Sequence, residues 1–338
     1  MGCVCSQDDK KIEAKNEFYQ INYEIEQKIK TNQNLMENLI RLQSKIKGRY
    51  FRKNFKKTIN NEIKEEPLTY KFITTYKVQQ KDLEELFQLY PPLNDGIEVE
   101  VRSPAQFSNK VIYFGEWDKN KNLRHGRGIQ IGLDGATFLG CWKNGKACGK
   151  GKLIHADGDI YDGDWLDDKP TGYGIYIHSD GTRYDGEWKD DKQNGKGKEI
   201  WPDGTSYEGD YVDGKKQGFG IFKWADNSMY KGQFENNNIH GKGVYTFADG
   251  RKYDGDCVKN RFEGKGVFTW PDGRKYTGDY KNDKKEGNGL FEWRDGKKYK
   301  GQWKNGKQHG IGEYYDPNEN KWKKGYWEYG KRLKWIND

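Results

Sequence analysis

The stretch that decides the fold runs Tyr184-Asp185-Gly186-Glu187-Trp188, then a link from Lys189 to Asn194, then Gly195-Lys196-Gly197. In an extended strand successive side chains point to opposite faces, so Tyr184, Gly186 and Trp188 share one face. The return segment alternates in the same way, most clearly as Gly266, Phe268, Trp270 and Gly289, Phe291, Trp293 in later copies. Rings and glycines therefore share a face in both strands. Each glycine leaves a gap in which a neighbouring ring can lie. The unit predicts an antiparallel hairpin.

Working outward, the pattern recurs in register. Its opening aromatic stands at Tyr113, Phe138, Tyr161, Tyr184, Tyr207, Tyr230, Tyr253, Tyr276 and Tyr299; the first spacing is 25 residues and every later one 23. The glycine two residues on recurs at Gly163, Gly186, Gly209, Gly232, Gly278 and Gly301, among others, and the closing aromatic at Trp165, Trp188 and Trp303. A weaker tenth copy begins at Trp322, with Gly325 and Trp327. Units are joined through Asp-Gly, as at Asp203-Gly204 and Asp272-Gly273, with Asp226-Asn227 as a substitute. Asp-Gly between alternating strands predicts a tight hairpin turn with positive φ at both positions. Asn237, in the link of its unit, reads as a free loop residue. The expected fold is mainly β: an elongated single-layer antiparallel sheet of tandem hairpins, each touching only its neighbours and adding roughly 9–10 Å of ribbon.

Composition agrees with a thin sheet. The 338 residues include 43 Gly, 23 Tyr, 15 Phe and 12 Trp, with 33% charged, so rings over glycines must replace a thick aliphatic core. The aromatic content argues against disorder. No apolar run approaches the ~20 residues of a membrane span, and no secretory h-region follows Met1. Five cysteines without metal-type spacing imply reduced thiols. Cys257 takes the place of a closing aromatic, and Cys141 sits beside one.

Catalytic chemistry finds no constellation. The G-x-G pairs are followed by no helix, so they are not phosphate loops. His125, His240 and His309 occupy one repeat position; the latter two lie three units, roughly 28 Å, apart and cannot share an ion. His155 and His178 are equivalent residues of adjacent units with no completing ligands. No nucleophile–base pair, paired catalytic carboxylates or cofactor fingerprint appears. The chain reads as a non-enzyme with no metal, no cofactor and no nucleic-acid partner. One surface position attracts notice: Glu116, Asp164, Glu187, Asp210, Asp256 and Asp279 share the face opposite the glycines. They read as cross-strand charge partners of lysines such as Lys152 and Lys198, or as a ladder for a basic partner.

The period and these residues resemble the MORN repeat (membrane occupation and recognition nexus) over about residues 113–330. The resemblance implies an elongated single-layer sheet used for assembly, dimerisation or membrane attachment. Arrays of this family occur in junctional membrane proteins, phosphoinositide kinases, ciliary radial spokes and parasite cytoskeletons.

The N-terminal third reads separately. Met1-Gly2-Cys3-Val4-Cys5-Ser6 fits the N-myristoylation pattern on Gly2. One acyl chain anchors only marginally, and S-acylation of Cys3 or Cys5 would supply the second signal. Residues 10–60 read as a basic amphipathic helix, with eight Lys/Arg and no acid from Arg41 to Lys57. Within it Leu42-Gln43, Lys47-Gly48, Arg52 and Phe55 resemble an IQ motif, which implies capture by calmodulin or a calmodulin-like protein, with Leu42 and Phe55 as apolar anchors. Such a helix also suits an acidic groove on charge grounds. Segment 61–112 reads as a connection with a short helix from Lys81 to Leu89 and a strand from Ile97 to Val101 that caps the array.

Two function classes follow. One is a lipid-anchored, calmodulin-responsive scaffold on the cytoplasmic face of a membrane, holding membrane or cytoskeletal proteins, with anionic lipid contact and self-association left open. The other is an axonemal structural subunit of a cilium, without functional lipidation. A regulatory fragment of a lipid kinase fails, because no catalytic domain remains.

Overall fold

The computed structural model describes residues 87–336. The tail (1–9), the segment expected as a basic helix (10–60) and residues 61–86 lie outside the described residues, and with them Gly2, Cys3, Cys5 and the six IQ-like positions. Most of the expected helix from Lys81 to Leu89 does so too.

Among the described residues twenty-one β-strands follow one another from Val99 to Trp335, and no helix interrupts them. The chain forms two compact units: one reaches to Leu139 and adds Leu153–Gly158, the other holds Gly140–Lys152 and everything from Asp159 onward. In the first, β1 (Val99–Gln106) pairs antiparallel with β2 (Ile112–Asp118), which pairs with β3 (Arg124–Ile131). In the second, pairing runs in chain order, as in β8 (Arg183–Lys189), β9 (Lys192–Ile200) and β10 (Ser206–Val212). The mainly-β array of antiparallel hairpins expected from the sequence is the fold observed.

Two different turns alternate along the array, and they correct the turn assignment. The tight turn with two consecutive positive φ values is in the link, at Asp190 (φ 48°) and Asp191 (φ 67°), or Asn236 (49°) and Asn237 (69°). Asp and Asn tolerate that left-handed conformation better than most residues, and in pairs they make the hairpin turn whose twist matches the strands. At the Asp-Gly joints only the glycine has positive φ, for example Gly204 at 85°. There the Trp201 and Thr205 backbones close a longer loop (Trp201 N–H to Thr205 O, 2.9 Å; Gly204 N–H to Trp201 O, 3.0 Å). The Asp side chain instead accepts from the amide two residues on, as Asp203 does from Thr205 at 2.8 Å. Nor is Asn237 a free loop residue: its Oδ1 accepts the Lys216 amide of the preceding unit at 2.8 Å, stitching adjacent turns together.

Packing on the ring face is intramolecular and regular. Tyr184 lies along its own strand, over Gly186 and over Gly197, the residue paired with Gly186 in β9. Its hydroxyl donates to the Glu187 carbonyl at 2.9 Å. Tyr161, Tyr207, Tyr230, Tyr276 and Tyr299 repeat the arrangement, each at most 1% exposed. The glycine gap is thus filled by the tyrosine two residues earlier rather than by a ring of another unit. Gly163, Gly209, Gly232, Gly278 and Gly301 are places of close approach, where a Cβ would meet both the tyrosine hydroxyl and the facing glycine backbone.

The closing aromatic links units. Trp188 meets the edge of its own Tyr184 (centroids 5.3 Å) and of the previous unit's Tyr161 (5.2 Å). Tyr276 to Trp303 (5.1 Å) and Tyr299 to Trp327 (4.9 Å) continue the pattern. These edge-to-face pairs contribute roughly 0.5–1.5 kcal/mol each beyond area burial. Trp165 and Trp188 also donate their indole N–H to the Gly151 and Gly174 carbonyls, at 2.9 and 3.1 Å. Cys257 removes one ring from this ladder, and Phe262 fills the space by stacking on Tyr253 at 3.8 Å and 14°. Burial in this apolar row pushes the Cys257 thiol up to about 12, so it behaves as a small apolar side chain.

Candidate interaction faces

The acidic repeat position has a backbone role that the sequence did not show. Within a unit the two strands slip register after the motif glycine, for example between Gly186 and Trp188. The bulge places the first glycine of G-x-G in the left-handed region (Gly195, φ 75°; Gly218, φ 66°) and turns the amide of x away from the ladder. The acid caps that amide: Glu187 accepts from Lys196 at 3.0 Å, Asp210 from Phe219 at 3.1 Å and Asp279 from Asn288 at 2.9 Å. In the units that carry Gln233 and Gln302, the amide oxygen does the same for Lys242 (3.1 Å) and Ile311 (3.2 Å). Asp164 and Asp256 cap Tyr173 and Lys265 likewise. Glu116 takes the Arg127 amide and also its guanidinium, at 2.7 Å from Nη2.

The same acids bind lysines across the unit boundary. Lys150 reaches Asp164 at 2.7 Å, Lys196 reaches Asp210 at 2.5 Å, and Lys265 pairs with Asp279. Lys152 meets Asp162 at 2.8 Å and Lys198 meets Glu208 at 3.6 Å. Burial works against the Asp279 carboxylate, yet Lys265 and the Asn288 amide hold it below the usual carboxylate range. Its contribution is therefore fully present above the ordinary carboxylate pKa and is lost as pH falls from there through the lowered folded-state value.

This frame holds a side chain that changes from unit to unit. The residue in the middle of G-x-G is Tyr173, Lys196, Phe219, Lys242, Lys265, Asn288 and Ile311 in successive units. Tyr173, Phe219 and Ile311 are about half exposed, at 53%, 49% and 49%. The hydrogen bond from the Tyr173 hydroxyl to Asp185 and the nearby charge push that phenol up to about 12. Towards the C-terminus the same face opens into a trench of about 670 Å³, lined by Val267, Thr277, Leu290, Lys300, Ile311 and Glu313 among others. These are cross-strand neighbours: Val267 faces Thr277, Thr277 faces Leu290, and Leu290 faces Lys300.

The histidines serve separate local contacts. His125 is buried, with Nε2 3.1 Å from Asp95; His178 Nδ1 lies 3.0 Å from Asp159; His240 Nδ1 lies 3.3 Å from Glu235. Among the described residues no group of three or more His, Cys, Asp or Glu gathers as a metal site. None of the described helices is long and apolar enough to cross a membrane.

The MORN repeat family matches in nine segments: 113–137, 138–160, 161–183, 184–206, 207–229, 230–250, 253–273, 276–298 and 299–321. No curated protein matches the whole sequence significantly. Among solved structures, a mutant of the TCP10 domain of Danio rerio CPAP is 12% identical, with a TM-score of 0.35 over 70% of this chain and 100% of that one. A catalytically inactive virginiamycin B lyase from Staphylococcus aureus, also 12% identical, gives 0.15 over 69% of this chain and 84% of that one. The nine matched segments take up more than half of the sequence, and the chain belongs to the MORN-repeat family.

Proposed function

We propose that the chain is a non-enzymatic scaffold that holds partner proteins along its repeats at a membrane or cytoskeletal structure. The observation that supports this most is the constant frame bearing a variable side chain. Tyrosine, glycine pair and an acid or glutamine cap recur every 23 residues from Tyr161 onward, while the residue between the glycines of G-x-G changes. A repeated frame of this kind offers a ladder of distinct contacts, which suits recognition better than catalysis.

The N-terminal motifs specify the attachment. Acylation at Gly2 and at Cys3 or Cys5 holds the chain at the cytoplasmic face, and the cations from Arg41 to Lys57 add about 1 kcal/mol each on an anionic surface. The same segment carries Leu42, Gln43, Lys47, Gly48, Arg52 and Phe55, so calmodulin and membrane compete for it. Calmodulin binding masks Lys45, Lys47, Arg49, Arg52 and Lys53 and weakens attachment. The test is co-sedimentation of myristoylated protein, with Cys3→Ser and Cys5→Ser, on anionic liposomes with and without calmodulin, at high and low calcium. The expected result is a smaller sedimented fraction when calmodulin is bound. An unchanged fraction with calmodulin bound ends the competition. If calmodulin does not bind residues 36–60, that helix belongs to membrane or filament contact. An intact mass of the native protein without acyl groups points to the axonemal class.

A further inference from the structure

One lysine on the ring face stands in surroundings that differ from those of its repeat equivalents. Lys285 Nζ lies over four rings: Phe291 and Trp303 at 4.7 Å, Tyr276 at 5.2 Å and Trp270 at 5.5 Å from their centroids. Among the described residues no acid makes an ion pair with it. Three units earlier, Lys216 occupies the same position over Trp201, Tyr207 and Tyr211, at 4.8, 5.1 and 5.6 Å. There Glu199 neutralises the ammonium at 2.7 Å and also accepts from the Tyr211 hydroxyl at 3.0 Å. The residue equivalent to Glu199 in the Lys285 unit is Phe268. Other units place Pro170, Gln193, Ile239, Phe262 or Gln308 at this position, none of them charged.

Lys285 is thus an ammonium set among rings, without the carboxylate its counterpart holds, and half-buried rather than sealed. We propose that Lys285 is a lysine-acylation site, whose amine reacts directly with acyl thioesters. The unprotonated Nζ attacks the thioester carbonyl carbon. The N–C bond forms, the C–S bond breaks, and the thiolate leaves with the bonding pair while the amine proton passes to it or to water. The product is a neutral amide, which needs no counter-ion among the rings, and two other units carry the neutral amides Gln193 and Gln308 at the equivalent position. Burial favours the neutral amine and lowers Lys285 to about 8, with Arg274 adding to the effect, while the four ring faces attract the ammonium and oppose that drop. At pH 7.5 a group at about 8 is roughly a quarter unprotonated, against about 0.1% for an ordinary lysine near 10.4. Lower basicity and partial burial offset part of that difference, leaving an advantage on the order of tenfold.

The experiment incubates the full chain with acetyl-coenzyme A at pH 7.5 and follows each lysine by peptide-mapping mass spectrometry. Lys285 is expected to acetylate about tenfold faster than Lys216 and than exposed Lys231, with a rate that levels off above pH 8 while theirs keep rising. Phe268→Glu, which restores the missing carboxylate, is expected to slow Lys285 at least fivefold. Glu199→Gln is expected to quicken Lys216, and it decides the matter if Phe268→Glu does not fold. Acetylation of Lys285 no faster than of Lys231 overturns the proposal. So does an unchanged target lysine in a variant that keeps the wild-type circular dichroism spectrum.

Discussion

Gly232→Val is expected to destabilise the array by about 2–4 kcal/mol, measured by urea unfolding followed through tryptophan fluorescence. A Cβ on Gly232 would lie 2.5 Å from the Gly243 Cα and would also strike the Tyr230 ring. The facing atom is backbone and the ring is fully buried, so neither can move aside. Gly232 does not sit in the left-handed region that favours glycine, so the penalty is steric. Lys231→Ala, next door and exposed on the other face, is the matched control and should change stability by no more than ~0.5 kcal/mol. Asn237→Ala is no control, because it loses the cap on Lys216 and strains a φ of 69°. Equal effects at 231 and 232 would show that the glycine is not a packing position.

Tyr207→Ala should be at least as damaging, about 3–5 kcal/mol, because it empties the site over Gly209 and Gly220 and removes the edge contacts to Tyr211 and Phe234. Tyr207→Phe keeps the ring and loses only the hydrogen bond to the Asp210 carbonyl (3.0 Å), which leaves that acceptor less satisfied for about 1 kcal/mol. The ratio of the two effects separates ring packing from hydrogen bonding. Similar losses for both would place the weight on the hydroxyl instead.

How much of this was legible depends on the range of the contacts. Register, strand alternation and the shared face of Tyr184, Gly186 and Trp188 follow from a period of two inside a period of 23, both visible in one chain. That the ring belongs to the same strand was not visible, because alternation names a face and not a direction along it. The bulge that separates Gly186 from Trp188 was hidden too, and with it the reason Glu187 faces Lys196. Its signal was present: Gln233 and Gln302 share with Asp and Glu only a side-chain acceptor oxygen, which marks hydrogen bonding rather than charge. The turn types are not legible, because Asp-Gly serves two loop types and the paired Asn and Asp of the links carry no sign in the sequence that they, rather than Asp-Gly, take the two positive φ values. The role of Phe262 is hidden because its repeat position varies from unit to unit (Pro170, Gln193, Lys216, Ile239), and only the missing ring at Cys257 explains it.

The most direct test of the central claim, a tyrosine laid over a glycine pair in each unit that opens with tyrosine, is the chemical shift of the glycine α-protons. In Gly197, Gly220, Gly243, Gly266, Gly289 and Gly312 the hydrogen in the Cβ direction points into a tyrosine ring. With selectively labelled glycine, one α-proton of each should resonate well upfield of its geminal partner, and Tyr207→Leu should return only the Gly220 proton towards its ordinary position. Six glycines with both α-protons at ordinary shifts, or a pattern indifferent to Tyr207, would contradict the account.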